Sequence, residues 1–149
     1  MSWFIGLDPG KKGAMAIIES TPDGIGEVKI IPFEPSDYIS ALKRYSGATV
    51  CIEQVQSLPR EGVKSVWSFG QTYGWLLGVM DALGVSYQAV PPNKWKREYS
   101  LLRAEKKQSI EVCKRLFPNV SLKRTDRCKT DDDNMADSLL LCEYARRHF

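Results

Sequence analysis

Residues 4–13, which read FIGLDPGKKG, decide the fold: an apolar run ends there in a single carboxylate, Asp8. Pro9 and Gly10 interrupt the run, and a second apolar run begins at Ala14. This order predicts a strand, a tight turn and a returning strand. A carboxylate at the end of an inner strand is costly unless it is paired. Asp8 therefore either has a partner, such as a metal ion or a basic side chain, or accepts hydrogen bonds from the backbone of the turn.

The same kind of pattern predicts the remaining elements. Strands are expected at residues 3–7, 14–19, 28–32, 49–53 and 85–90, and helices at residues 35–45, 64–83, 104–117 and from Thr130 onward. The first three strands, joined by short turns, should form an antiparallel meander. The fourth is almost wholly apolar, which is typical of a strand buried on both faces and parallel to its neighbour. We expect an α/β fold in one domain over residues 1–149.

Carboxylates recur at places where stability alone would not put them. The fourth predicted strand ends in Glu53 as the first ends in Asp8, and ligands bind at such strand ends in open α/β sheets. A salt bridge is the alternative for Glu53. Asp133 and Asp137, four apart on the last helix, share one face and repel each other, which a divalent cation would relieve. For Asp133 a capping box with Thr130 is the alternative.

This set of ligands indicates a class of chemistry. Oxygen ligands without His or Cys suit Mg²⁺ or Mn²⁺. Two such ions about 4 Å apart can activate water and stabilise the leaving oxygen in phosphodiester hydrolysis. The only histidine, His148, stands next to the last residue and is a poor candidate for a general base.

Basic residues are concentrated in residues 94–129, which contain twelve Lys and Arg and four Asp and Glu, so 12 − 4 = +8. The whole chain carries +3, so the rest sums to −5. This asymmetry favours a polyanion such as nucleic acid on one face, although a solvated helix surface could give the same count. Within this region, residues 121–129 are expected to be mobile. The candidate DNA contacts are Arg60, Lys64, Lys94, Lys96, Arg97, Lys106 and Lys107.

The long helix predicted at residues 64–83 has two unusual features. Gly70, Gly74 and Gly78 recur every four residues, which predicts close packing against the sheet. The helix also carries more large apolar side chains than one buried stripe uses, which is typical of an interface core between subunits. The alternative is a helix buried all round within one subunit. The large side chains are Trp67, Tyr73, Trp75 and Met80.

Other features bound the class of protein. The four cysteines show no CxxC pairing, which favours reduced thiols and argues against zinc. No apolar run approaches the roughly 18 residues that span a bilayer, and the first residues lack the order of a signal peptide. We expect a cytoplasmic protein with no membrane partner.

The chain resembles the RuvC family of Holliday-junction resolvases, within the RNase H-like superfamily of retroviral integrases. The matching stretches are IGLDPG at residues 5–10, CIEQV at 51–55, SFGQ at 68–71, WK at 95–96 and DNMADSL at 133–139. The resemblance implies a five-stranded mixed sheet with helices on both faces. It also implies a homodimer that binds a four-way DNA junction and nicks two strands symmetrically.

The resemblance also implies roles for individual residues. Asp8, Glu53 and Asp137 match the metal ligands of a site for two Mg²⁺ or Mn²⁺ ions. For the fourth ligand we take Asp133, with Asn134 as the alternative because many relatives space the last pair by three residues. Lys96 matches a lysine that contacts the scissile phosphate, with Lys94 as the second choice.

Rival functions on related folds stay open. One is a non-catalytic junction-binding scaffold for recombination, and another is a ribonuclease H that cuts RNA–DNA hybrids. The actin-like ATPases also have a first strand that ends in Asp followed by Gly. They need two such domains and a second phosphate loop, for which 149 residues leave no room.

Overall fold

The computed structural model describes residues 1–55 and 61–149. Within them the strands are β1 (Ser2–Asp8), β2 (Ala14–Thr21), β3 (Gly24–Pro32), β4 (Thr49–Glu53) and β5 (Tyr87–Val90). The helices are α1 (Pro35–Arg44), α2 (Val63–Ala82), α3 (Pro92–Glu98), α4 (Lys106–Leu116) and α5 (Asp133–His148).

The strands form one mixed sheet in the order β3-β2-β1-β4-β5. The first three make the predicted antiparallel meander, and β4 is parallel to both β1 and β5. Leu7 pairs with Ile52, so the next residues, Asp8 and Glu53, end adjacent parallel strands at the same edge of the sheet. The predicted α/β architecture with a five-stranded mixed sheet is therefore confirmed.

Helices cover both faces of the sheet, because successive strand residues point to opposite sides. Ile5 and Leu7 of β1 pack with α1 and part of α2 in one core. Phe4 packs with α3, α4 and α5 in the other. The predicted arrangement of helices on both faces is thus confirmed, and the candidate DNA contacts Lys94, Lys96 and Arg97 belong to α3.

Helix α5 lies directly against β1 at Gly6. A Cβ atom built on Gly6 would stand 2.5 Å from the carbonyl oxygen of Ser138 and 2.8 Å from the Cα of Cys142. Only a residue without a side chain permits this approach. It brings Asp137, the neighbour of Ser138, towards the end of β1.

The start of α5 differs from the prediction. The N-cap is Asp132, whose carboxylate accepts a hydrogen bond from the backbone nitrogen of Met135 at 2.9 Å. A capping box at Thr130 is therefore wrong. A carboxylate two residues later satisfies the free N–H groups and also interacts favourably with the helix dipole.

The glycine row of α2 does not pack against the sheet as predicted. Gly70, Gly74 and Gly78 are exposed, and a Cβ built on each would meet no atom of residues 1–55 and 61–149 within 4 Å. The side chains of Val63 and Trp67 are 87% and 70% exposed, so the alternative of a helix buried all round is also wrong.

Cys51, Cys113 and Cys142 are buried, and all four cysteines are free, as predicted. No helix in the described ranges is long and apolar enough to cross a membrane.

Candidate active site

Four carboxylates predicted from separate parts of the sequence line one cavity of about 200 Å³. Asp8 and Glu53 reach it from the ends of β1 and β4, and Asp133 and Asp137 from the first two turns of α5. The other lining residues are Lys96, Leu101, Ala104, Glu105, Lys106, Ser109 and Asn134.

Asp8 is the least compensated of these carboxylates. Its Oδ2 atom is buried and has no hydrogen-bond partner among the described residues. Burial raises the pKa of Asp8 well above its usual value, and the charges of Glu53 and Asp137 raise that pKa further. The β1–β2 turn is closed by a hydrogen bond from the Gly13 nitrogen to the Gly10 carbonyl oxygen, at 3.0 Å. The Oδ2 atom of Asp8, unpartnered among the described residues, is therefore free to bind a cation in the cavity.

Glu53 is held by a residue whose role the sequence did not reveal. The indole nitrogen Nε1 of Trp95 donates a hydrogen bond to Glu53 Oε2 at 2.9 Å. Trp95 is fully buried in α3, so the bond has a fixed geometry. Burial raises the pKa of Glu53, while the Trp95 bond and the charge of Lys96 lower it. The indole N–H can only donate a hydrogen bond, so this bond favours the ionised carboxylate of Glu53, which accepts it.

We expect Trp95→Phe to weaken metal binding, because the carboxylate of Glu53 then loses its fixed donor. Loss of a group that orients a metal ligand typically costs about 10–100-fold in metal affinity. The measurement is the Mg²⁺ concentration that gives half of the maximal thermal stabilisation. Trp3→Phe, at the opposite end of β1, is the control. An unchanged Mg²⁺ dependence in Trp95→Phe would show that the indole bond does not serve the site.

Asp137 is the second carboxylate of the cavity whose pKa is strongly raised. Burial raises the pKa of Asp137 to about 7. The nearby Ser109 hydroxyl and Lys96 lower this pKa, whereas the charges of Glu53 and Asp133 raise it. In the folded protein without a cation, Asp137 is therefore mostly protonated below about pH 7, where a free aspartate would already be ionised.

The raised pKa of Asp137 predicts a pH-dependent gain in stability for Asp137→Asn. Because the folded pKa exceeds the ordinary value of 3.8, the contribution to stability is present below pH 3.8 and is lost as pH rises towards about 7. In metal-free buffer at pH 8 the variant should be more stable than wild type, by on the order of 2–4 kcal/mol.

The measurement is urea unfolding in the presence of a chelator at pH 4 and pH 8. The two proteins should differ little at pH 4. A variant that is less stable than wild type at pH 8 would contradict the account.

The fourth ligand stays a choice between Asp133 and Asn134. Both side chains line the cavity, and the charge of Asp133 raises the pKa of both Asp8 and Asp137. Asn134 also lines a neighbouring depression beside the β1–β2 turn.

The donor set fits a hard divalent cation. It consists of carboxylate oxygens whose mutual repulsion a cation would relieve, and one of them, Asp8 Oδ2, has no hydrogen-bond partner within the described ranges. Among residues 1–55 and 61–149, no three His, Cys, Asp or Glu side chains are already grouped closely enough to hold an ion. The carboxylates thus share a cavity without a preformed coordination shell.

The predicted basic residues occupy different places. Lys96 and Lys106 line the cavity, and Lys96 lowers the pKa of Asp8, Glu53 and Asp137. Its ammonium lies 5.6 Å from the centre of the Trp95 ring.

The other basic residues lie outside the cavity. Lys94 and Arg97 are exposed on α3, and exposed Lys107 forms an ion pair of 3.4 Å with Glu105. Lys64 lines the neighbouring depression. Arg60 lies outside the described residues.

Among known proteins, matches to this chain come from solved structures. No family model matches the chain, and no curated protein matches it. A solved structure of Thermus thermophilus RuvC in complex with Holliday junction substrate matches with a TM-score of 0.65 and 15% identity, over 98% of this chain and 96% of that one. Another Thermus thermophilus RuvC structure matches with a TM-score of 0.62 and 18% identity, over 97% and 96%. Over nearly its whole length, the chain therefore has the RuvC fold that its sequence resembles.

Proposed function

We propose that the chain is one nuclease domain that cuts branched DNA, with four-way junctions as its substrate, by metal-dependent hydrolysis. The observation that carries the proposal is the unpartnered Oδ2 of Asp8 in a cavity shared with Glu53, Asp133 and Asp137. A fold similar to that of a protein solved with Holliday junction substrate supports the choice of DNA.

The residues of the cavity have distinct roles in this proposal. Asp8, Glu53, Asp137 and either Asp133 or Asn134 would hold two Mg²⁺ or Mn²⁺ ions. Bound there, such ions supply an activated water and stabilise the leaving oxygen. Lys96 would contact the scissile phosphate, and its positive charge partly offsets the raised pKa of Asp8, Glu53 and Asp137.

A non-catalytic junction scaffold is the less favoured alternative. Ionising Asp8 and Asp137 in this cavity opposes folding, because burial raises the pKa of both. A protein that only binds DNA has no need of such a set. A ribonuclease H on this fold would need the same carboxylates, so only the substrate distinguishes it from a junction nuclease.

The assay that separates these functions uses three labelled substrates with the purified protein and Mg²⁺. They are a four-way junction, a linear duplex of the same sequence and an RNA–DNA hybrid. We expect paired nicks in the junction and little cutting of the others. Preferential cutting of the hybrid would favour ribonuclease H, and binding without cutting would favour the scaffold.

Two nicks of like polarity require two sites related by a two-fold axis, so we propose a C₂ homodimer. The interface we propose is the outer face of α2, where Trp67 is exposed and Gly70, Gly74 and Gly78 leave open space. Exposed glycines let a second backbone approach, and a large exposed apolar side chain is typical of an interface core.

We expect a dimer mass in sedimentation equilibrium at micromolar concentration, and a shift towards monomer in Trp67→Glu because a buried charge disfavours the interface. Ile25→Glu on β3, also at an exposed apolar residue, is the control. A monomer mass of the wild type both with and without junction DNA would contradict the proposed dimer, and with it the proposed paired nicks.

A further inference from the structure

One basic residue of the segment between α4 and α5 differs from its neighbours. Residues 121–129 are predicted to be a mobile basic stretch, but the side chain of Arg124 is only 24% exposed. Lys123, Arg127 and Lys129 are exposed. The same segment also buries Leu122, so it is anchored to the body of the protein.

Arg124 bridges two distant parts of the chain. Its Nε donates to Asp132 Oδ2 at 2.9 Å. Its Nη2 donates to the carbonyl oxygen of Gly13 at 3.1 Å and also to that of Lys12. One guanidinium therefore joins the β1–β2 turn to the residue that precedes α5.

Both ends of this bridge lead to the carboxylates of the cavity. At one end, Asp132 uses its other oxygen, Oδ1, to cap α5, which carries Asp133 and Asp137. At the other end, Gly13 packs so closely on β1 that a Cβ there would collide with the carbonyl oxygen of Asp8.

We propose that Arg124 is a positioning residue that holds the start of α5 in register with the end of β1, so that Asp137 faces Asp8. This inference rests on the proposed function for its role in metal binding. Because the charge of Arg124 is paired with Asp132, we do not expect Arg124 to bind a DNA phosphate.

The choice of arginine follows from the geometry. A guanidinium presents several donors in a fixed planar fork, which can serve a carboxylate and two carbonyl groups at once. A lysine is a point charge on a flexible stem, so it can pair with Asp132 but cannot fix the turn at the same time.

The first test is hydrogen exchange of the metal-free protein, which needs no nuclease activity. In Arg124→Met, amide exchange should rise both in residues 9–14 and in the first turn of α5. Arg127→Met, at an exposed arginine of the same segment, should leave both regions unchanged. Faster exchange confined to residues 117–132, or no change, would overturn the bridge.

The second test measures the Mg²⁺ concentration for half-maximal thermal stabilisation, together with junction affinity in metal-free buffer. Arg124→Met and the milder Arg124→Lys should each need about 10–100-fold more Mg²⁺ and keep the affinity for DNA. Arg127→Met should bind Mg²⁺ as wild type does.

An Arg124→Met protein with the Mg²⁺ dependence of wild type would overturn the positioning role. So would an Arg124→Lys protein that binds Mg²⁺ as tightly as wild type, since a point charge would then suffice. A wild type that does not respond to Mg²⁺ would instead overturn the proposed function, and with it any role of Arg124 in metal binding. The exchange result would still decide whether the bridge exists.

Discussion

Asp8→Asn is expected to abolish cleavage of a four-way junction and to leave binding of the junction nearly unchanged. The substitution keeps the shape of the side chain but removes the charge of a ligand whose Oδ2 has no other partner among the described residues. The loss should exceed the roughly 10–100-fold that follows removal of a group that merely orients a ligand.

The measurement is single-turnover cleavage with saturating protein in Mg²⁺, with affinity measured separately in a chelator. Asp23→Asn, at an exposed aspartate between β2 and β3, is the matched control and should cut like wild type. Cutting by Asp8→Asn at the wild-type rate would show that Asp8 is not part of the site. Asp133→Asn and Asn134→Ala, measured in parallel, identify the fourth ligand by which of them loses activity.

Gly6→Ala should strongly destabilise the protein, because it adds a methyl group where β1 lies against α5. The added Cβ would meet the backbone of α5 at Ser138 and Cys142, and backbone atoms cannot rotate away as a side chain can. Overpacking of a core typically costs about 1–3 kcal/mol, and here we expect at least about 3 kcal/mol because α5 must move off β1.

Urea unfolding measures this loss, with Gly47→Ala as the control. In the part of the chain that the structure describes, a Cβ at Gly47 meets nothing within 4 Å, so that variant should be as stable as wild type or slightly more stable. Because α5 carries Asp137, folded Gly6→Ala should also bind Mg²⁺ more weakly. Wild-type stability of Gly6→Ala would contradict the close packing of α5 on β1.

The sequence was sufficient for those features that depend on local patterns. Apolar runs that end in Asp8 and Glu53 predicted two inner strands, and the absence of polar residues between Thr49 and Glu53 predicted a parallel neighbour. Parallel strands end at the same edge, so the meeting of the two carboxylates follows from the pattern itself. Asp137 could be singled out as a candidate because a charge in an apolar helix is costly without a partner, and it does line the same cavity.

Other features depend on contacts between residues far apart in the chain. Trp95 lies 42 residues from Glu53, and Arg124 lies 111 residues from Gly13, so no local spacing signals either hydrogen bond. The glycine row of α2 shows the opposite limit. Its spacing predicted close packing against the sheet, and only the fold reveals that these glycines face outward instead.

A crystal structure of the protein with Mn²⁺, with data collected at the manganese absorption edge, would show whether the carboxylates of the cavity bind metal. We expect anomalous peaks in the cavity, with oxygens of Asp8, Glu53 and Asp137 as ligands at about 2.0–2.2 Å, a range typical of small divalent ions. No anomalous peak in this cavity at a Mn²⁺ concentration that supports cleavage would contradict the proposed metal site.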